Sequence, residues 1–174
     1  MVIVLMGVSG SGKTTVGTRL ADALGWTFAD GDDFHPEANV EKMRRGTPLT
    51  DADRWPWLRA LRDYIGERLA TDAPAVVACS ALKAAYREVL LTDNPGAELV
   101  YLRGDYALIR ERMEARPDHF FDAAMLDSQF EALEAPAPDE ALIVDIDAPP
   151  DAIVDTIRRR LPDLSSPSGG NRPL

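Results

Sequence analysis

The chain has 174 residues, of which 45% are hydrophobic and 28% are charged, and this is the ordinary composition of one globular domain. Nineteen basic residues against 29 acidic residues give a formal net charge of -10, which argues against the broad basic surface of a protein that binds nucleic acid or an anionic membrane. The single cysteine, Cys79, cannot form an internal disulfide bond and is expected to be a buried, unreactive thiol.

The sequence shows no pattern of an export signal or a membrane span. Its first residues are expected to form a strand, and no apolar run is long enough to cross a bilayer. Together with a cysteine that is expected to stay reduced, this predicts a cytoplasmic protein. We expect one domain over residues 1–162 and a disordered tail over residues 163–174, because the segment 165–170 has too little apolar surface to fold.

Short apolar runs alternate with segments of helical period, which is typical of a parallel sheet covered by helices on both faces. Five strands are predicted, at residues 2–6, 27–29, 75–79, 99–102 and 142–145. Between them, apolar residues three and four positions apart predict helices. One helix ends at Gly25, a longer one carries the apolar positions of residues 55–69 and is capped by Asp51 or Asp53, and the last begins at residues 149–150.

Residues 7–14, GVSGSGKT, fit the phosphate-binding pattern G-x-x-x-x-G-K-[ST] directly after the first strand. Glycines allow successive backbone N–H groups to turn inward, and the helix that follows presents its positive dipole end to the phosphates. Lys13 can reach the β- and γ-phosphates, and the Thr14 hydroxyl can ligate Mg²⁺. We therefore predict nucleotide binding by Gly7, Ser9, Gly10, Ser11, Gly12, Lys13, Thr14 and Thr15. The alternative is a glycine-rich turn that fits the pattern by chance. It would require the strand before the loop, the helix after it and the Lys-Thr pair all to coincide.

Three acidic residues follow the second strand, at Asp30, Asp32 and Asp33. The carboxyl ends of strands line the ligand crevice of open α/β sheets, and phosphoryl transfer needs one carboxylate near Mg²⁺ and another beside the attacking hydroxyl. We assign Asp30 to the metal and Asp32 to the substrate hydroxyl. A solvated acidic turn that caps the next helix is the alternative, above all for Asp33. His35 is either a substrate contact or a turn residue whose ring is satisfied within the protein.

Several cations farther along the chain can bind a substrate carboxylate. The guanidinium of Arg54 has the planar shape that suits a carboxylate, although a surface ion pair with Asp51 or Asp53 is the alternative. Ser80 and Lys83, which follow the third strand, can hold hydroxyls or a carboxylate.

A basic helix end leads into a segment broken by proline, and this pattern predicts a lid over about residues 112–130. Arg116 is the candidate to close over the γ-phosphate, where a cation stabilises the charge of the transition state. Arg112 is expected to flank the adenine or the phosphates.

These motifs together resemble those of the bacterial-type gluconokinases, P-loop enzymes related to shikimate and nucleoside monophosphate kinases. The resemblance extends from Met6 to about Leu161 and depends on four sequences: GVSGSGKTT, DGDDFHPEANVEKMRRGTPLTDADRWPWL, CSALKAAYRE and HFFDAAMLDSQFEALEAP. It implies a three-layer αβα fold with a five-stranded parallel sheet in the order 2-3-1-4-5. It also implies ATP and Mg²⁺, phosphorylation of the C6 hydroxyl of D-gluconate to give 6-phosphogluconate and ADP, and a homodimer.

The same resemblance implies roles for individual residues. The catalytic set is Lys13, Asp32 and Arg116, and residues 147–149 lie near the adenine. The substrate-side residues are Asp32, His35, Arg54, Ser80, Lys83 and Arg87, with His119 and Gln129 contributed by the lid.

Two other functions remain open at this point. A kinase for another small hydroxy acid or polyol is one, because Arg54 and Lys83 would attract most carboxylates. A nucleotide-dependent switch is the other, although the base-selecting N-K-x-D pattern of GTPases is absent and the acidic residues after the second strand have no evident use in a switch.

Overall fold

The computed structural model describes residues 1–115, 122–161 and 164. Its centre is a parallel sheet of five strands in the order β2-β3-β1-β4-β5. The strands are β1 (Val2–Met6), β2 (Thr27–Asp30), β3 (Ala75–Ala78), β4 (Ala97–Arg103) and β5 (Leu142–Asp145). The predicted fold class and strand order are confirmed, and β2 and β4 extend beyond their predicted limits.

The helices within the described residues connect these strands. They are α1 (Lys13–Leu24), α2 (Glu37–Arg44), α3 (Asp51–Ala70), α4 (Ala84–Leu91), α5 (Tyr106–Glu114), α6 (Ala123–Ala132) and α7 (Pro150–Arg160). A short 3₁₀ turn, Gly31–Phe34, follows β2. None of the helices in the described part of the chain is long and apolar enough to cross a membrane.

Both faces of the sheet are buried, which explains why the strands are continuous apolar runs. All five residues of β1 are buried, and their side chains alternate between two apolar clusters. Ile3 and Leu5 pack with residues of α1 and α7, whereas Val2, Val4 and Met6 pack with residues of α3 and α4. The sheet is therefore the middle layer of three, as predicted.

The helix ends confirm two of the local predictions and correct a third. Gly25 ends α1 with φ 69°, a conformation that favours glycine, and α7 begins at Pro150. The prediction that Asp51 or Asp53 caps α3 is wrong, because the capping residue is Thr50. Thr50 has extended backbone angles and its hydroxyl accepts from the Asp53 N–H at 3.2 Å, while Asp53 accepts from the Thr50 N–H at 2.9 Å.

Cys79 follows β3, and its side chain is buried as predicted. Burial raises the pKa of the thiol to about 12, so Cys79 is not a nucleophile at neutral pH. The predicted boundary at residue 162 and the predicted tail over residues 163–174 fall almost wholly outside the described residues.

Because the strands are parallel, their carboxyl ends lie at one edge of the sheet. The loop between β1 and α1, the 3₁₀ turn after β2 and residues 79–83 after β3 all begin at this edge. The fold therefore brings together the three segments that carry most of the predicted site residues.

Candidate active site

The loop of residues 7–12 joins β1 to α1 and has the geometry of a phosphate cradle. Gly12 precedes α1 with φ 89°, a conformation that a side chain would strain. A Cβ atom on Gly7 would lie 2.7 Å from the Ser11 Oγ and 3.0 Å from the Leu102 carbonyl oxygen, so a larger residue does not fit there. The glycines are thus required by the shape of the loop.

The polar groups of this loop fit a phosphate. The Ser11 hydroxyl is fully buried and has no hydrogen-bond partner among the described residues. The Ser9 N–H donates to the Gln129 side-chain oxygen at 2.5 Å, so an acceptor oxygen already sits against this amide. The Lys13 ammonium donates to the carbonyl oxygens of Gly7 and Val8 at 2.9 Å and 3.0 Å, which holds it against the loop.

Thr14 and Asp30 meet at the edge of this loop. The Thr14 hydroxyl donates to the Asp30 Oδ2 at 3.2 Å, and the Asp30 Oδ1 accepts from the Asp32 N–H at 3.1 Å. Asp30 therefore caps the 3₁₀ turn and also contacts Thr14. The next α-helix, α2, is preceded by Pro36 and has no acidic side-chain cap. Within residues 1–115 and 122–161, no group of three or more His, Cys, Asp or Glu side chains could hold a metal ion. A hydroxyl beside one carboxylate suits Mg²⁺, which keeps several waters and takes further ligands from substrate phosphates.

Asp32 and His35 face each other across the 3₁₀ turn. The Asp32 side chain is 87% exposed, whereas the His35 side chain is only 4% exposed, and the Asp32 Oδ1 lies 3.9 Å from the His35 Nε2. The His35 ring stacks on Trp57, with 4.2 Å between ring centroids and 16° between planes. The Trp57 indole N–H donates to the Gly31 carbonyl oxygen at 2.7 Å, so α3 holds both the turn and the ring.

Burial of the imidazole lowers the pKa of His35, Asp32 opposes this shift, and the charge of Arg54 adds to it. The imidazole is therefore neutral at pH 7. The pKa of Cys79 also responds to Lys13, Asp32 and Arg54 after the larger effect of burial. Lys13 follows β1 and Asp32 follows β2, so both lie at the same edge of the sheet, and the charge of Arg54 acts on the His35 imidazole beside Asp32.

A second polar cluster joins the start of α3 to the start of α4. Both carboxylate oxygens of Asp51 accept from the Lys83 ammonium, at 3.0 Å and 3.1 Å, and Asp51 also accepts from the Tyr86 hydroxyl. These hydrogen bonds from Tyr86 and Lys83 lower the pKa of the Asp51 carboxyl. The Arg54 guanidinium lies 5.9 Å from the centroid of the Tyr86 ring.

This cluster decides the alternative for Arg54. Asp51 pairs with Lys83, and Asp53 pairs with Lys42 at 2.8 Å, so neither acid forms the surface ion pair that was the other interpretation of Arg54. Arg54 instead donates to the Leu49 carbonyl oxygen at 3.5 Å. The charge of Arg54 acts on the Asp51 carboxyl, whose pKa it helps to lower after the larger effects of the hydrogen bonds from Tyr86 and Lys83.

Asp51, Asn39 and Tyr86 belong to the site although the sequence motifs predict no site role for them. The sequence predicts Asp51 only as a cap or an ion-pair partner, and Asn39 and Tyr86 occur only within the family motifs. Tyr86 follows Lys83 by three positions at the start of a helix, which is the one local signal that the two side chains share a face.

Arg87, which the resemblance implies as a substrate contact, is bound by backbone carbonyl groups in this structure. Its guanidinium is buried, and its Nη1 donates to the carbonyl oxygens of Ala81, Leu82 and Glu134 at 3.3, 3.3 and 2.8 Å. These three acceptors are backbone groups, and the Glu140 Oε1 lies 3.8 Å from the Arg87 Nη2. In this structure Arg87 fastens the loop after β3, and its implied contact with a substrate stays a prediction.

Of the remaining predicted residues, those in the described part of the chain lie around the phosphate loop. The Ser80 carbonyl oxygen accepts from the Gly7 N–H at 3.3 Å, which places Ser80 beside this loop. Arg112 donates to the Ile146 carbonyl oxygen, next to the predicted adenine segment 147–149. Gln129 is a half-buried residue of α6 that contacts Ser9 as described above, and Thr15 is exposed on the first turn of α1. Arg116 and His119 lie outside the described residues.

Comparison with known proteins is consistent with this geometry. A family model described as an AAA domain matches residues 2–136. The thermoresistant gluconokinase of Escherichia coli strain K12 is 47% identical over 155 residues, which cover 88% of this chain and 89% of that protein. The chain belongs to the gluconokinase family.

Solved structures of similar chains support the same assignment. A gluconokinase from Sinorhizobium meliloti is 43% identical, with a TM-score of 0.77 over 94% of this chain and 97% of its own. A sugar kinase from Janibacter is 42% identical, with a TM-score of 0.85 over 94% of this chain and 95% of its own. This member of the gluconokinase family is therefore a kinase, and the alternative of a nucleotide-dependent switch is set aside.

Proposed function

We propose that this kinase transfers the γ-phosphoryl group of ATP to the C6 hydroxyl of D-gluconate, giving 6-phospho-D-gluconate and ADP. The observation that carries the proposal is the meeting of the phosphate loop, the Thr14–Asp30 pair and the Asp32 carboxylate at one edge of the sheet, with Arg54 and Lys83 beside them. Relatives named gluconokinase match most of the chain and support the choice of substrate.

The phosphate loop and Lys13 would hold the triphosphate. A phosphate oxygen would take the place of the Gln129 oxygen on the Ser9 N–H, and the buried Ser11 hydroxyl would gain an acceptor. Thr14 and Asp30 would hold Mg²⁺, which when bound neutralises charge on the phosphates. Arg112, beside the segment after β5, would flank the nucleotide. Arg116 is proposed as the further cation on the transferred group.

Asp32 would receive the proton of the C6 hydroxyl. Its carboxylate is exposed at the mouth of the site, while its peptide is fixed by the hydrogen bond to Asp30. The bond between the C6 oxygen and the γ-phosphorus forms, and the bond between that phosphorus and the β,γ-bridging oxygen breaks, so that ADP leaves with the electron pair. Holding the two reactants in line can supply about 7–11 kcal/mol of the reduction in barrier.

Arg54 and Lys83 would bind the carboxylate of gluconate at the other end of the sugar chain. Lys83 and Arg54 carry two positive charges beside the single negative charge of Asp51, which leaves one net positive charge for a monocarboxylate. Ser80, His35, His119 and Gln129 are proposed as further contacts of the hydroxyls. Arg87 would act indirectly, by holding the loop that carries Lys83.

The test is a panel of acceptors with magnesium and ATP. ADP release is measured with D-gluconate, other sugar acids, shikimate and nucleoside monophosphates, and ³¹P NMR identifies the oxygen that is phosphorylated. We expect D-gluconate to give the highest kcat/KM and the product to be the C6 phosphate ester. Equal turnover with another acid, or release of ADP that gluconate does not accelerate, would reject the assignment.

A charge-matched pair of variants tests the carboxylate subsite. Arg54→Gln should raise the KM for gluconate and leave the KM for ATP unchanged. Arg59→Gln removes one cation from the exposed face of the same helix and serves as the control. If both variants have the same KM for gluconate, the assignment of Arg54 fails.

We also propose a cytoplasmic homodimer with a small-molecule substrate and no nucleic-acid or membrane partner. The net charge of -10 supports the absence of polyanionic partners. Light scattering of the purified chain measures its mass in solution, and a monomer at all concentrations would contradict the dimer.

A further inference from the structure

Asn39 is a buried polar residue of α2 beside the site. It is 4% exposed, and its amide nitrogen Nδ2 contacts two groups. Nδ2 donates to the Asp53 carbonyl oxygen at 2.8 Å and lies 3.3 Å from the His35 Nδ1. Asn39 therefore joins α2, the start of α3 and the imidazole next to Asp32.

The first of these contacts fixes the orientation of the amide. A backbone carbonyl oxygen can only accept a hydrogen bond, so the atom of Asn39 that faces Asp53 must be the NH₂ group. The second hydrogen of that group points to the His35 Nδ1, which must then accept. In a neutral imidazole the other nitrogen carries the proton, so His35 has its proton on Nε2.

The ring itself has little freedom to change this arrangement. Its stacking on Trp57 holds the plane, and Trp57 is in turn hydrogen-bonded to the Gly31 carbonyl oxygen. The Nε2 atom is then the one that lies 3.9 Å from the Asp32 Oδ1. A donor of His35 and an acceptor of Asp32 are thereby held side by side.

We propose that Asn39 is a positioning residue of the phosphoryl-transfer site, whose amide keeps the proton of His35 on Nε2 beside the Asp32 carboxylate. A neighbouring donor and acceptor of this kind can bind one hydroxyl through its oxygen and its hydrogen, or two adjacent hydroxyls of a polyol. The kinetic part of this inference rests on the proposed function, because it assigns the hydroxyls to the substrate. The position of the proton on Nε2 is independent of the proposed function.

The charged groups around the imidazole agree with a neutral ring. Asp32 on the 3₁₀ turn favours the imidazolium, and Arg54 on α3 opposes it. The carboxylate of Asp53, also on α3, is already bound by the Lys42 ammonium and by Thr50. Burial of the ring has the largest effect and keeps its pKa below the ordinary value.

The proton can be located directly by NMR. The chain has two histidines, His35 and His119, so the ¹⁵N–¹H correlation spectrum of the imidazole groups contains two sets of signals, and a His119→Gln variant assigns them. We expect the resting protein at pH 7 to show His35 protonated at Nε2. In Asn39→Asp, a carboxylate oxygen replaces the donor, and His35 should become protonated at Nδ1.

Asn94 offers a matched control. It is also 4% exposed, and its amide nitrogen donates to the carbonyl oxygens of Arg62 and Leu90, both at 3.0 Å. It lies near the start of β4, at the opposite edge of the sheet from the site. Asn94→Asp therefore loses a similar pair of buried hydrogen bonds and should leave the His35 signals as they are.

Kinetics measure the consequence for catalysis. We expect Asn39→Asp to lower kcat with gluconate about 10-fold to 100-fold, the size of effect that a small misplacement produces. The KM for ATP should stay constant, and Asn94→Asp should keep the kcat of the parent. In His35→Gln, the glutamine amide supplies an N–H near the position of Nε2, and this donor cannot move to another atom as the imidazole proton can. In the His35→Gln background, the additional change Asn39→Asp should therefore have no effect on kcat.

Two results would overturn the proposal. One is a resting His35 protonated at Nδ1, and the other is an equal loss of kcat from Asn39→Asp with and without His35→Gln. If the NMR result holds but gluconate is not phosphorylated, the proposed function fails while the position of the proton stands.

Discussion

Trp57 connects the stability of the fold to the geometry of the site. Its side chain is 2% exposed, its indole N–H donates to the Gly31 carbonyl oxygen at 2.7 Å, and its ring supports His35. Trp57→Phe keeps an aromatic ring in this position but removes the donor. The Gly31 carbonyl group, in a residue that is itself buried, then has no partner from α3.

Two contributions set the size of the expected effect. An unsatisfied buried carbonyl costs about 1–3 kcal/mol. The smaller ring lacks three ring atoms, and their lost burial adds about 1–2 kcal/mol. The free energy of unfolding should therefore fall by about 2–5 kcal/mol. For a chain of this length each kcal/mol lowers Tm by about 2–4 °C, so Tm should fall by about 4–20 °C.

Urea unfolding followed by circular dichroism measures the loss of stability, and steady-state kinetics below the transition measures the effect on the site. We expect kcat to fall as well, because the 3₁₀ turn that carries Asp32 loses its link to α3. Leu20→Ala is the control. Leu20 is fully buried on the opposite face of the sheet, and its truncation should cost about 2–5 kcal/mol without changing kcat.

A loss below about 1 kcal/mol at an unchanged m-value would contradict this prediction, since about 1 kcal/mol is the least that an unsatisfied carbonyl should cost. An unchanged kcat in Trp57→Phe would show that the hydrogen bond to Gly31 does not position Asp32. An equal fall of kcat in Leu20→Ala would show that kcat follows the overall stability and not this hydrogen bond.

Three further predictions concern single residues. Lys13→Ala should lower kcat by several orders of magnitude while circular dichroism stays unchanged, and appreciable turnover would contradict the role of Lys13. Asp32→Asn should lower kcat far more than the affinity for ATP measured by calorimetry, and equal losses in both would argue against Asp32 as the proton acceptor. Hydrogen bonds from Lys42 and then Thr50 lower the pKa of Asp53 to about 2 from an ordinary value of 3.8. Because the folded pKa is the lower one, the stabilisation by this carboxylate is present above pH 3.8 and is lost as the pH falls toward about 2. Asp53→Asn should flatten this part of the curve of unfolding free energy against pH, and an unchanged curve would exclude the contribution.

Residues close in sequence determined the phosphate loop and the sheet. The pattern of residues 7–14 depends on glycines and on a strand and a helix that adjoin it, and all of these are local features. The strands were predictable because both faces of the sheet are buried, so each strand is a continuous apolar run. The acidic residues after β2 were predictable as site residues because the carboxyl ends of parallel strands meet at one edge.

The tertiary structure decided which of these side chains form hydrogen bonds or ion pairs within the protein, and with which partners. Lys83 and Tyr86 bind Asp51, which is more than 30 positions earlier in the chain, because α3 and α4 pack against the same face of the sheet. Arg87 carries the same charge as Arg54, yet one is buried against carbonyl oxygens and the other is half-buried beside the site. Nothing local distinguishes these arginines, nor indicates that the amide of Asn39 reaches both His35 and the backbone of Asp53. A hydrogen bond over such separations depends on the packing of whole helices, and that packing is the sum of many apolar contacts that no short stretch of sequence contains.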